Sequence, residues 1–267
     1  YNLYELKNGI RLIHRYSPSP VSHCGITINV GSRDETETEN GIAHFIEHSI
    51  FKGTNKRKAF QILNRIDGVG GELNAFTTKE ETCIHASFLK EYYNKAIELI
   101  SDVAFNSTYP TNELEKEKEV IIDEINSYRD SPAEEICDEF ENNLYRGHEM
   151  GRNILGTTDL VNGFTRNDLC NFIKNNYSTE KIIIATIGDI SFINFKNKII
   201  THFGDYQHSI TSFHRTKFQQ LPTFTKIEER NNHLSHCIIG GIAYHFDNPK
   251  KMQMILLNNI LGGPGMN

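Results

Sequence analysis

The stretch "GIAHFIEHSIFKGT", residues 41–54, places His44, Glu47 and His48 within five residues. Two imidazoles and a carboxylate at this spacing can support metal-assisted acid–base chemistry if the segment is helical. At about 100° per residue, His44 and His48 point within roughly 40° of each other, and Glu47 lies on the same side. Ile42, Ala43, Ile46 and Ile50 fall on the opposite side, with Phe45 at its edge. Such a helix buries its aliphatic stripe and aims both imidazoles at one point. Two His at i and i+4 can share a zinc ion at roughly 2.0–2.1 Å from each nitrogen. In a chain with 12 His, the plain alternative is a solvated polar face.

A second segment favours the metal. In "NELEKEKEVIIDEINSYRD", Glu117 and Glu124 are seven residues apart and therefore nearly eclipsed on a helix. Val120 flanks them on one side, and Leu114, Ile121 and Ile125 on the other. Carboxylates inside an apolar stripe need a partner, and a divalent cation would serve both. Glu115, Glu119 and Asp123 read as solvated charges. His14, His23, His85, His148, His202, His208, His214, His233, His236 and His245 have no partner at ligand spacing and read as structural or exposed. The "GHEMG" loop lacks the Lys and Ser/Thr of a phosphate loop. Cys83 and Cys137 have no activating neighbour, which disfavours a cysteine nucleophile.

The elements that must position these residues are legible in outline. Asn8-Gly9 in "YELKNGIRLIH" is a hairpin signal, and "HCGITINVGS" reads as a strand ending in a Gly turn. A helix is expected from about Gly41 to Phe51, and another from near Lys58 to the "DGVGGE" breaker. "LNAFTTKEETCIHASFL" reads as two extended segments. Residues 90–145 are helical by periodicity, broken at "NSTYPTN" and at Ser131-Pro132, where Ser131 would cap a helix begun by Pro132. After "GHEMGRNILGT" come a helix near Arg166–Asn176, a buried strand "KIIIATIG" and a helix near Phe192–His202. A polar connector, "YQHSITSFHRTKFQQLPTF", precedes further strand material, "HCIIGGIAYHF", and a helix "KKMQMILLNNILGG". The mixed order suggests an α+β domain over residues 1–205, a connector at 206–224, and at 225–267 the beginning of a second domain cut short.

Bulk properties narrow the function classes. The 267 residues suffice for a large core without disulfides. A net charge of -6 without long like-sign runs argues against nucleic acid as the main partner. Five scattered cysteines without a CxxC pair suggest reduced thiols and a cytoplasmic setting, although a removed leader would alter that. No apolar run reaches the length of a membrane span.

The His-x-x-Glu-His order is the inverzincin signature, and the chain resembles the pitrilysin-type (M16) zinc metallopeptidases. The resemblance is carried by "ELKNGIRLIH", "VGSRDETETENGIAHFIEHSIFKGT", "GGELNAFTTKEET", "EKEVIIDEINSYRDSP" and "GRNILGT", which together span nearly residues 3–160. It implies an α+β fold, a largely antiparallel sheet with helices packed on one face, followed by a similar non-catalytic domain that "MQMILLNNILGGPGMN" would begin. It also implies one zinc ion per catalytic domain, held by His44, His48 and Glu124, with Glu47 as general base and Glu117 supporting the ligands. Asn74, Ala75 and Phe76 match the edge strand on which the family lays its peptide, an interaction made largely through the main chain. The expected activity is that of a metalloendopeptidase acting on peptides or unfolded polypeptide segments. A homodimer, or pairing with a second M16-type half, would complete the chamber. The alternative is a non-catalytic subunit of the same fold, serving in binding or assembly. The sequence departs from the pattern at Cys83-Ile84-His85, where relatives often carry Tyr, and it ends before the Arg and Tyr that the second domain usually contributes.

Overall fold

The computed structural model describes residues 1–212, 215–219, 222–230 and 233–263. His214, the connector residues 213, 220 and 221, and the closing residues 264–267 of "MQMILLNNILGGPGMN" lie outside the described residues.

Six strands form one sheet: β1 (Asn2–Glu5), β2 (Arg11–Tyr16), β3 (Val21–Ile28), β4 (Glu72–Thr77), β5 (Thr82–Leu89) and β6 (Ile182–Gly188), in the order β1-β2-β6-β3-β5-β4. All neighbours are antiparallel except β2 and β6, which are parallel, with β3, β4, β5 and most of the helices between them in the chain. The Asn8-Gly9 turn closes the first hairpin, with Gly9 at φ 89°, a left-handed conformation that glycine adopts without steric penalty. Register places Leu12, Ile184, Ile26, Ile84 and Ala75 in one row across the sheet. The first four of these are at most 2% exposed, so one face of the sheet is the floor of the core.

The helices are α1 (Ile42–Ser49), α2 (Ala59–Asp67), α3 (Tyr93–Asn106), α4 (Thr111–Arg129), α5 (Pro132–Leu144), α6 (Thr158–Gly163), α7 (Arg166–Asn176), α8 (Phe192–Phe203) and α9 (Lys251–Gly262). Helix α3 packs on β3 and β5, α8 on β2, and α1 and α2 on the edge strand β4. The aliphatic stripe expected of α1 is the buried one, with Ile42, Ala43, Phe45 and Ile46 all at 0% exposure. This is the α+β arrangement expected from the sequence.

Four local expectations need correction. The apolar run of β6 reads as buried on both faces, yet Ala185 and Ile187 are exposed, because no described helix covers the outer face of the sheet. Ser131 stands at the cap position of α5 but makes no side-chain capping bond; its carbonyl accepts from the N–H groups of Glu134 and Glu135 instead. Val120 is half exposed, so the apolar stripe of α4 runs along one side of its carboxylates only. "HCIIGGIAYHF" forms no strand. An extended segment gains ladder hydrogen bonds only beside another strand, and the six-stranded sheet does not include it. Helix α6 was not foreseen: six residues are too few to establish a helical period.

Candidate metal centre

Helix α1 begins at Gly41, whose φ of 99° lets the chain turn sharply into the helix. A Cβ there would stand 2.7 Å from Leu155 O and 2.9 Å from Gly156 Cα, so the "GRNILGT" loop presses directly on the helix start. Glu35, buried at 4% exposure, supplies acceptors that α1's own sequence lacks. Its Oε1 accepts from Ala43 N at 2.9 Å, and its Oε2 from Gly41 N at 3.0 Å and Asn40 Nδ2 at 3.1 Å. A carboxylate at this end also complements the helix dipole. Burial pushes the Glu35 carboxyl up to about 8, against those donors, which pull it down.

From that anchored helix, His44 and His48 bring their rings together edge to face, with centroids 4.5 Å apart and planes at 68°. Helix α4 packs against α1 and delivers Glu117 and Glu124. His44 Nε2 lies 3.7 Å and His48 Nε2 3.4 Å from Glu124 Oε2. One donor atom from each of these three residues falls within 4.8 Å of the others, the one such group among the described residues. Zinc bonds of about 2.0–2.1 Å in a tetrahedron put neighbouring ligand atoms roughly 3.3 Å apart. The His–Glu separations are therefore within a few tenths of an ångström of what a shared zinc ion needs. Two imidazoles and one carboxylate also form a donor set that leaves a fourth position open, as in catalytic rather than structural sites.

The second carboxylate has a different place. Glu117 is buried at 5% exposure and pairs with His48 Nδ1 at 3.0 Å through Oε1. Its other oxygen meets Lys52 Nζ at 2.5 Å. A carboxylate accepting from Nδ1–H leaves the Nε2 lone pair of His48 free for a cation. Glu117 thus faces His48 Nδ1 while Glu124 faces the Nε2 atoms of both imidazoles, so the two carboxylates of α4 are not equivalent. His44 has no counterpart to Glu117, since its Nδ1 is buried without a hydrogen-bond partner.

Local fields follow from this crowding. Burial, reinforced by the neighbouring His48, pulls the His44 imidazole down to about 4. Burial also works against a charged His48, but the carboxylates of Glu117, Glu124 and Glu47 outweigh it and lift His48 to about 9. His48, opposed by burial and helped by His44, holds the Glu124 carboxyl below the usual range. Glu117 is also lowered: burial opposes ionisation, and the bonds to His48 and Lys52 prevail. Glu47 is pushed up, chiefly by burial, while Thr77 and His48 pull it back.

Asn74, Ala75 and Phe76 lie on β4, at the sheet edge beside α1. The turn bond from Thr78 N to Glu81 O sets the phase of the β4–β5 ladder. Hydrogen-bonded pairs then recur every second residue, so Phe76 and Asn74 face β5 with their main-chain groups. Those of Leu73, Ala75 and Thr77 face the open edge. Ala75 N is engaged by its neighbour Asn74 Oδ1 at 2.8 Å. Cys83 and His85 stand on the outer face of β5, opposite Phe76 and Asn74, with the Phe76 and His85 rings 6.0 Å apart.

Three contributors escaped the sequence reading. Glu35 sat in an acid-rich stretch without periodicity. Lys52 was one cation in a loop, and Thr77 one of two adjacent threonines. A carboxylate shortly before the helix start was the single available cue, for Glu35. Among the described residues the remaining His do not join the site: His14, for example, is buried with Nε2 at 2.8 Å from Ile190 O. All five cysteines are free. No described helix is long and apolar enough to cross a membrane.

Residues 11–158 match the family described as insulinase (peptidase family M16), and residues 163–266 match the peptidase M16 inactive domain. The chain is 35% identical over 263 residues to the uncharacterized zinc protease YmxG of Bacillus subtilis, covering 97% of this chain and 63% of that protein. It is 31% identical over 274 residues to the beta subunit of the mitochondrial-processing peptidase of Bos taurus, covering 98% and 55%. It thus spans between about half and two thirds of the length of these relatives. Among solved structures, a protease from Helicobacter pylori superposes with a TM-score of 0.77 at 23% identity, over 82% of this chain and 54% of that one. A peptidase M16 inactive domain from Pseudomonas fluorescens superposes at 0.81 with 17% identity, over 99% and 65%; at these identities the likeness speaks for the fold. The family match over more than half of the chain, together with relatives named as zinc proteases, shows that the protein belongs to peptidase family M16.

Proposed function

We propose that this chain is a zinc-dependent endopeptidase that hydrolyses peptides or unfolded polypeptide segments. The observation that carries this is the convergence of His44 Nε2, His48 Nε2 and Glu124 Oε2, from two helices, at separations suited to one ion, with Glu47 on the same face of α1. His44, His48 and Glu124 would hold one zinc ion, and Glu117 would keep His48 turned toward it. Zinc held there would supply Lewis-acid activation of water and of the scissile carbonyl.

The remaining work falls to the chain's own side chains. Glu47, whose pKa burial raises, takes the proton of the attacking water and passes it to the leaving amine. The outward main-chain groups of β4 around Ala75 receive the substrate as an added strand, which reads backbone more than side chains. That pairing displaces the Asn74 side chain from Ala75 N–H. A second M16-type half would close the groove from the other side. In this proposal residues 1–205 would carry the site, 206–224 would connect, and 225–267 would begin a second unit.

The match of residues 163–266 to an inactive domain favours a second reading, a subunit for binding or assembly. All four residues of the proposed site lie in the other matched segment, which favours the enzyme. A quenched peptide substrate assayed with and without chelator separates the two. The expected result is hydrolysis that chelator abolishes and zinc restores, and a Glu47→Gln variant that holds zinc but does not turn over. Chelator-resistant hydrolysis, or full activity in Glu47→Gln, would overturn the mechanism.

A further inference from the structure

Three segments distant in sequence meet beside the site. The first is the loop from β3 to α1, which runs through Asn29 and Asp34 to Glu35, the acceptor at the start of α1. The second is the β4–β5 turn, which lies main chain to main chain on that loop. Ser32 N donates to Thr78 O at 3.1 Å and Arg33 N to Lys79 O at 2.7 Å, and a Cβ on Gly31 would collide with Thr78 O. The third is the connector, from which Arg215 reaches both of the others. Its Nε and Nη2 donate to the two oxygens of Asp34 at 2.8 and 2.7 Å, and its Nη1 donates to Asn29 Oδ1 at 3.0 Å. The same Nη2 reaches Glu80 O, in the turn, at 2.9 Å. Thr216, next in the chain, donates from N to Glu149 Oε1 at 2.8 Å and accepts from Arg33 Nη2 at 2.5 Å through its carbonyl. Exposed ion pairs contribute little, but a bidentate fork out of solvent is the exception. The side chains of Arg215 and Asp34 are 16% and 7% exposed.

We propose that Arg215 is a positioning residue of the site, stapling the β4–β5 turn to the loop that anchors α1 and so fixing the peptide-binding edge relative to the metal helix. The proposal rests on the zinc-peptidase reading. Helix α1 carries His44, Glu47 and His48, and β4 carries the open main chain of Ala75 and Thr77. A peptide paired with β4 meets the metal correctly only if strand and helix keep their spacing. At this end of the site that spacing is set where the turn lies on the loop. Arg215 adds an attachment from a segment that belongs to neither element. A planar fork suits this task, since one group holds a carboxylate, an amide oxygen and a main-chain carbonyl at once. The connector leads on to residues 225–267, so what lies beyond it is linked to the site through this arginine. Whatever unseats Arg215 loosens the frame, and a peptide bound across the frame holds Arg215 in place. A 1 Å error in such placement can reduce turnover about a hundredfold.

The test uses the full chain with Arg215→Met, which keeps the stem and removes the fork, and Arg215→Lys, which keeps the charge alone. The first arm needs no turnover: amide hydrogen exchange, read segment by segment. In Arg215→Met, residues 29–41 and 72–81 should exchange at least about threefold faster, while α3 stays as in the wild type. Unchanged exchange in those two segments, or equal acceleration in α3, would overturn the proposal. In the second arm, Arg215→Met should lower kcat on a quenched peptide by about tenfold to a hundredfold, with KM and zinc affinity within about threefold, because the ligands and the main chain of β4 stay intact. Arg215→Lys should recover little, since one ammonium cannot bridge Asp34 and Glu80 together. A kcat unchanged in Arg215→Met, or fully restored in Arg215→Lys, would also sink it. A wild-type chain that cleaves nothing would count against the peptidase reading, while the exchange arm would still decide whether Arg215 ties the turn to the loop.

Discussion

Glu117→Gln is the substitution that best probes how the metal centre is built. The carboxylate holds His48 Nδ1 at 3.0 Å and Lys52 Nζ at 2.5 Å, so each oxygen has one donor. An amide of the same shape cannot satisfy both. With its oxygen toward His48, its NH2 group confronts the Lys52 ammonium, donor against donor. With its oxygen toward Lys52, its NH2 group donates to His48 Nδ1. That favours the tautomer with hydrogen on Nε2 and covers the lone pair a zinc ion needs. Loss of such a partner to a ligating histidine typically weakens metal binding by 10–100-fold, or about 1.4–2.7 kcal/mol. Because both amide orientations are penalised, Glu117→Gln should fall toward the upper end of that range. Glu124→Gln removes a ligand and should weaken binding further. Glu47→Gln leaves the ligand set intact and should bind zinc nearly as wild type does. Competition with a chromophoric zinc chelator, with circular dichroism to confirm the fold, measures all three. Zinc affinity in Glu117→Gln within twofold of wild type would refute the reasoning, because it would mean that Glu117 does not orient His48.

Two further outcomes follow from the surroundings of α1. Gly41→Ala introduces a Cβ at 2.7 Å from Leu155 O, in a left-handed conformation; it should lower stability by about 1–3 kcal/mol in denaturant titration and weaken zinc binding with it. The connector should detach in acid. Burial opposes ionisation of Glu149, but hydrogen bonds from Thr216 and the neighbouring His148 hold it down at about 2. A depressed carboxyl stabilises the fold above its unfolded pKa of about 4.3, and that contribution is lost as pH falls from there toward 2. Screening limits it to about 1 kcal/mol. Limited proteolysis of residues 206–219 should accelerate at pH 3 relative to pH 6, and equal rates would contradict this anchoring of the connector by Glu149.

What the sequence disclosed and what it withheld divide along physical lines. The i, i+4 histidines of α1 and the i, i+7 glutamates of α4 lie within single helices, where 3.6-residue periodicity sets direction. Their faces were therefore legible before any coordinates. That Glu124 meets the imidazoles while Glu117 sits behind one of them depends on how α4 lies across α1, which no local period encodes. Glu35 acts from a loop, and the direction in which Thr77 presents its groups is set by strand phase. The phase of β4 is fixed by a turn bond between Thr78 and Glu81, a detail beyond alternation of polar and apolar residues. The same limit applies to Arg215. The sequence offered a basic residue in a polar connector, yet its Nε and Nη2 bind both oxygens of Asp34 at 2.8 and 2.7 Å, 181 residues away.

The position of the site at the sheet edge has its own logic. Helix α3 lies over β3 and β5 in the middle of the sheet, and eight of its fourteen residues are buried. A helix so placed must direct its polar groups into structural pairs, as Asp102 does with Arg57 and Thr54. A catalytic face needs one side of a helix held rigidly and the other open to a substrate. Helix α1 gains this by lying over β4, beyond which the sheet has no further strand. Its aliphatic side is fully buried, while Glu47 and His48 stay partly accessible. The strand that anchors the helix also presents the unpaired main chain of Ala75 at the same edge. Under the proposed function, rigid support for His44 and His48 and an open edge for an extended peptide would thus come from one six-residue element. A metal helix moved inward by a strand would lose both, because its polar face would be covered and its nearest main chain already paired.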